Sequence, residues 1–113
     1  TADRTVLALR TDAGSLLPGL GLTPAAHNND ISLTCQNLDE FMQAIGEAQT
    51  IVTDRLHAVV AAVMLGKQVD FIDPYDQKIS RYIAANFGSD FQDLLTSRSI
   101  GWLLENHHIE PIR

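Results

Sequence analysis

"IVTDRLHAVVAAVMLGKQVDFIDPY", residues 51–75, decides how this chain folds. "TIVT", residues 50–53, is short, apolar and β-branched, and reads as a buried strand. "DRLHAVVAAVMLG", residues 54–66, then reads as a helix, with Asp54 as N-cap and Gly66 as C-cap. After His57 it is apolar on almost every side, so it should be well buried. "QVDFID", residues 68–73, is the next strand, stopped by Pro74. Strand, helix and strand in so few residues imply a crossover between parallel neighbours. The same stretch poses a chemical question, because Arg55, Leu56 and His57 open the helix.

The same alternation continues on both sides. "TVLALR", residues 5–10, reads as a strand, and residues 12–30 read as a long loop rich in Gly and Pro. "ISLTC", residues 31–35, reads as a second strand. Residues 37–48 follow as a helix with Asn37 as N-cap and Leu38, Phe41, Met42 and Ile45 on one face. "QKISRYIAANFG", residues 77–88, is a further helix, and "FQDLLT" and "SIGWLLENHH" read as two short ones. The expected fold class is α/β: a Rossmann-like three-layer domain with a mainly parallel sheet. In such sheets ligands bind beyond the carboxyl ends of the strands, beside helix N-termini.

At 113 residues the chain is one domain in size, and 45% hydrophobic residues mark it as globular. The net charge is −6, so no nucleic-acid partner is expected, although a local cationic pocket for a small anion is compatible with it. A single cysteine, Cys35, rules out an intrachain disulfide and a Cys-based metal site, and fits a core position in a reducing compartment. The apolar run Ala58–Gly66 is too short to span a bilayer. With no initiator Met and with the first apolar run beginning by Thr5, we expect a domain excised from a longer protein, a processed small protein being the alternative.

The first turn of a helix presents free N–H groups and the positive end of the helix dipole. Cations there oppose the dipole, at roughly a few tenths of a kcal/mol each. Arg55 and His57 make sense at that junction if an anion sits above it, where amides, guanidinium and imidazole converge on one phosphate or carboxylate. The bland alternative pairs Arg55 with Asp54 or Asp73 and makes His57 a hydrogen-bonded helix residue.

The wider pattern adds to this. "VTDRLHAVVAAVMLGKQVDFID" followed by "YDQKIS" resembles the polysaccharide pyruvyl transferase family. "LALRTD", "DISLT" and the A-x-x-I-V-T-D approach to the helix are similar to that family in the same order. The resemblance runs from residue 5 to about residue 83. It implies a two-domain enzyme similar to the glycosyltransferase-B architecture, with two Rossmann-like halves facing across a cleft. This chain would be the C-terminal half, partnered by an N-terminal domain and inactive alone. The family transfers the enolpyruvyl unit of phosphoenolpyruvate to a sugar hydroxyl, forming a pyruvate ketal. The resemblance further implies a glycan or lipid-linked saccharide acceptor and work in exopolysaccharide or cell-wall glycan assembly. The expected place is cytoplasmic, with membrane association through the acceptor or a partner. No cofactor beyond the donor is implied, and homo-oligomerisation is left open.

A phosphoenolpyruvate site needs fixed cations. Arg55 suits bidentate contact with phosphate or carboxylate, with Leu56 beside it in the same turn. Arg10, at the end of the first strand, is a candidate second contact, with a plain surface role or a pair with Asp12 as the alternative. Lys78 and Tyr75 are candidates from the next β–α junction, where Asp73 and Asp76 read as loop or capping residues. His57 is the candidate general acid, since histidine changes charge near neutral pH and ketal formation needs a proton at the methylene carbon; simple anion binding is its competing role. No metal site is expected: His27 with Asp30 is thin, and adjacent His107 and His108 face different ways and read as surface residues. Trp102, Leu103 and Leu104 are expected to seal the end of the core or to pack on the other half.

Two other functions fit less of the pattern. A nucleotide-sugar glycosyltransferase of the same architecture would put a diphosphate at this helix, but "GSLLPGLGL" does not fit a G-x-G-x-x-G turn. A non-catalytic docking module would show no anion binding and an exposed apolar face.

Overall fold

The computed structural model describes residues 5–11, 16–24, 28, 38–73, 77–107 and 109–112. In chain order the elements are β1 (Thr5–Ala8), α1 (Leu16–Gly19), β2 (Leu22–Pro24), α2 (Leu38–Gly46), β3 (Thr50–Thr53) and α3 (Leu56–Met64). There follow β4 (Gln68–Ile72), α4 (Lys78–Asn86), a 3-10 turn (Ser89–Leu94), β5 (Leu95–Arg98), α5 (Ile100–Asn106) and β6 (Ile109–Pro111).

Side-chain alternation explains the layers. Strands β1, β3, β4 and β5 lie side by side in that order, all parallel. The register aligns Val6, Ile51, Val69 and Leu95 in one row across the sheet. These four, with Ala8 and Phe71, pack on Ile45 of α2, Ala58, Val59, Ala62 and Val63 of α3, and Ile79 of α4. The intervening residues Leu7, Val52 and Ile72 point the other way, and with Leu9 they meet Leu16 and Leu17 of α1 and Leu103 of α5. Strands β1, β3 and β4 are thus covered on both faces, as expected of a parallel sheet. The result is the three-layer α/β fold, with a Rossmann-like parallel sheet.

Helix α3 is the central brace. Ala58, Val59 and Ala62 are wholly buried, which the small side chains permit by letting the helix lie close to the sheet. It ends in a Schellman motif: Lys67 N–H donates to the Ala62 carbonyl at 2.9 Å and Gly66 N–H to that of Val63 at 3.0 Å. Gly66 has φ 74°, the left-handed conformation that this stop requires and that its lack of a Cβ allows.

The structure revises the local reading at several points. The long loop over residues 12–30 contains α1 and β2. The strand pairs antiparallel with β6, Leu22 opposite Pro111, so its partner lies almost ninety residues away and no local pattern reveals it. "FQDLLT" is helical only in its first four residues, which belong to the 3-10 helix Ser89–Leu94; β5 begins at Leu95, extended because it completes the sheet beside β4. Helix α5 is shorter than expected, capped by Ser99 Oγ, which accepts from the Trp102 N–H at 3.0 Å. Leu103 and Trp102 join the second core as expected, but Leu104 is exposed. His107 is half-buried against the Trp102 ring, at 5.4 Å between centroids, rather than on the surface. The Arg98 guanidinium lies over the Trp102 ring, 4.6 Å from its centroid, and bonds Asp70 Oδ1 at 3.0 Å. The expected strand at residues 31–35, the Asn37 cap, Cys35, His27 and His108 lie outside the described residues.

Asp73 follows β4 and caps α4 from outside the helix. Its Oδ1 accepts from the Ile79 N–H at 2.9 Å and its Oδ2 from the Ser80 N–H at 3.2 Å and from the Ser80 hydroxyl. Asp73→Ala leaves those donors without a partner and should cost about 1–2 kcal/mol. Urea denaturation checks this; an unchanged midpoint would mean that water or a neighbour replaces the cap.

Candidate active site

The parallel register brings the carboxyl ends of all four strands to one edge: Ala8 lies opposite Thr53, Thr53 opposite Phe71, and Ile72 opposite Arg98. Beyond that edge, Thr53, Asp54 and Arg55 form the turn between β3 and α3. Thr53 Oγ1 donates to the Ala8 carbonyl at 2.7 Å and accepts from the Arg55 N–H at 3.0 Å. One buried hydroxyl therefore ties the end of β1 to the start of α3.

Asp54 is not the N-cap of α3. Arg55 holds that position, with extended backbone angles and no side-chain cap. The Asp54 carboxylate instead turns toward β1, where Oδ1 accepts from the Arg10 N–H at 2.8 Å. Its residue is only 4% exposed, and among the described residues Oδ2 has no hydrogen-bond partner. Burial raises this carboxyl from its ordinary 3.8 to about 6, against the opposing pull of the Arg10 and Asp54 backbone amides and the charges of Arg10 and Arg55. Local sequence rules miss this, since an Asp before a helix reads as a cap in any context.

The chain leaving β1 is held on its other side by Asn28. Its Oδ1 accepts from the Leu9 N–H at 2.9 Å and its Nδ2 donates to the Leu9 carbonyl at 3.1 Å. Asn28 thus pairs with the strand as another backbone would, and it forms a parallel bridge with Leu7. Nothing in "HNND" distinguishes it from a loop residue.

Of the residues singled out from sequence, the structure brings Arg10, Arg55 and His57 to one end of the sheet. Arg10 follows β1, Arg55 caps α3 and His57 lies in its first turn with an exposed side chain. Leu56 is half-buried and packs on the first core cluster, so its side chain belongs to the fold. Lys78 opens α4, beyond the adjacent strand β4, and is exposed. Tyr75 lies outside the described residues. Asp73 accepts from the Ile79 and Ser80 amides and so caps α4, as its reading as a capping residue expects. Among the described residues no cluster of three or more His, Cys, Asp or Glu side chains could hold a metal ion. None of the described helices is long and apolar enough to cross a membrane.

The arrangement is that of an α/β domain with chargeable residues placed at strand–helix junctions on one edge of its sheet, where α/β proteins hold anionic ligands. Residues 7–75 match the family model for polysaccharide pyruvyl transferase. That stretch is more than half of the chain, and the chain belongs to this family. It contains Arg10, Asp54, Arg55 and His57, while Lys78 lies just past its end. No curated protein and no solved structure matches the chain.

Proposed function

We propose that the protein transfers the enolpyruvyl group of phosphoenolpyruvate to a sugar hydroxyl, and that the donor binds where β1 and β3 end. The observation that carries this is the position of Arg10 after β1 and of Arg55 and His57 at the N-terminus of α3, with Arg10 and Arg55 both acting on Asp54, inside the stretch that defines the family. Phosphoenolpyruvate bears a phosphate and a carboxylate close together. Two guanidinium groups from different strands can each take one of them. The amides and dipole of α3 add to the same potential.

In this reading His57 delivers a proton to the methylene carbon, the sugar hydroxyl adds at the neighbouring carbon, and phosphate leaves as Arg55 and Arg10 stabilise its charge. A second hydroxyl of the same sugar closes the ketal. The acceptor is a glycan or a lipid-linked saccharide, and the product is an acidic exopolysaccharide or cell-wall glycan made at the cytoplasmic side. A second Rossmann-like domain would close the cleft and supply the acceptor site, with Lys78 on the rim of this half.

Calorimetric titration of the full protein with phosphoenolpyruvate is the test, with inorganic phosphate and a nucleotide diphosphate-sugar as comparison ligands. Saturable donor binding is expected, weakened at least about tenfold in Arg55→Ala, since a charge-assisted pair contributes roughly 1.5–3 kcal/mol. Binding of the nucleotide-sugar and not of phosphoenolpyruvate would replace this reading with that of a glycosyltransferase.

A further inference from the structure

Asp54 is poorly explained by stability. The junction of β1 with α3 is already joined by the Thr53 hydroxyl, which serves the Ala8 carbonyl and the Arg55 amide. Leu9 is held through both its backbone groups by Asn28. Among the described residues Asp54 adds its bond to the Arg10 amide, beside the pull of its own amide and of the Arg10 and Arg55 charges, and for these a carboxylate is taken out of water with Oδ2 unpartnered. A buried, half-satisfied charge costs more than one hydrogen bond returns. An Asn or a Ser could close the same gap at less cost, so what Asp54 joins is the informative feature. Its bond ends on Arg10, the backbone unit that carries one guanidinium of the proposed clamp, and its own next residue is Arg55, which carries the other.

We infer that Asp54 is a positioning residue for the donor site: through Oδ1 it fixes Arg10 at the end of β1 against Arg55 at the start of α3, so that two strands present one anion clamp. The inference rests on the donor-site reading above and deepens it. Bidentate recognition tolerates little misplacement, and the bond to Asp54 sets where the chain leaving β1 places Arg10 relative to Arg55. Asp54 touches no reacting atom in this account; it acts only through Arg10.

The test is a double-mutant cycle on the full protein, read as the dissociation constant for phosphoenolpyruvate. The variants are Asp54→Ala, Asp54→Asn, Arg10→Ala and the pair Asp54→Ala with Arg10→Ala. If Asp54 acts through Arg10, Asp54→Ala weakens donor binding about tenfold, as Arg10→Ala does, and the double variant is no weaker than Arg10→Ala to within about twofold. Asp54→Asn keeps an acceptor at Oδ1 and should bind the donor within about threefold of wild type. Effects that multiply in the double variant would overturn the inference. So would an Asn variant as weak as the Ala variant, or Asp54→Ala binding like wild type. A purely structural Asp54 would shift thermal unfolding and leave the donor constant of the folded protein alone. If Arg10→Ala and Arg55→Ala both bind the donor normally, the donor-site reading itself falls and the inference with it. If those two lose binding and Asp54→Ala does not, only the positioning role is lost.

Discussion

Replacing His57 with Gln should lower turnover by about 10²–10⁴-fold while the dissociation constant for phosphoenolpyruvate changes by less than about tenfold. His57 lies in the first turn of α3 with its side chain exposed at the carboxyl edge of the sheet. An exposed imidazole beside a helix N-terminus does little for the fold, and in the positive field of that terminus it is not favoured for stability. In the proposed reaction its value is chemical. The enolpyruvyl double bond must gain a proton at its methylene carbon before or as the sugar hydroxyl adds, and Gln can hydrogen-bond an anion but cannot supply that proton. Single-turnover measurements with saturating donor separate the two roles. A loss of rate at saturating donor supports the acid. If the variant recovers full turnover once donor is saturating, His57 is an anion ligand alone.

The second large effect concerns stability and pH. Burial holds the Asp54 carboxyl at about 6 in the folded chain, against an ordinary 3.8. Between those two values the folded protein keeps a proton that the unfolded chain releases. Raising the pH through that window therefore destabilises the fold, and the whole contribution, roughly 3 kcal/mol, is lost above it. Asp54→Asn is never charged, retains the acceptor for the Arg10 amide and avoids this loss. The variant should be about 1–3 kcal/mol more stable than wild type at pH 8, with the difference shrinking toward pH 4, because a buried amide still carries some desolvation cost. Urea denaturation at several pH values measures it. A difference that stays constant with pH, or an Asn variant less stable at pH 8, would mean that Oδ2 is satisfied in solution. A side chain that costs stability at working pH and yet occupies the turn is what a site residue looks like.

The two results would be complementary: His57 would lower rate without touching stability, and Asp54→Asn would raise stability with little effect on donor binding. Arg55 and Arg10 lie between these extremes, since their charges act on the buried carboxylate and, in the proposed site, on the ligand.

How much of this was legible beforehand follows from the range of each interaction. β1, β3, α3 and β4 depend on hydrophobic runs of four to nine residues and on a glycine stop at Gly66, all local signals, and each lies within a residue or two of its expected place. The parallel sheet follows from that alternation alone, because a strand–helix–strand path leaves few other arrangements. The clustering of Arg10, Arg55 and His57 was also readable, as positions that follow strands or open a helix in such a sheet share one edge.

What the sequence by itself could not decide are the contacts that join distant segments. β2 is a strand only because β6 reaches it, and β5 is extended only because β4 offers it an edge. Asp73 was readable as a capping or loop residue, but the amides it caps lie six and seven residues further on. Asp54 shows the difference most clearly. Its neighbours in sequence make it a helix cap, since a cap needs only the next turn of backbone. Its neighbours in space make it the partner of an amide forty-four residues away, because the parallel register sets the end of β1 against the end of β3 and closes the space around the carboxylate to water.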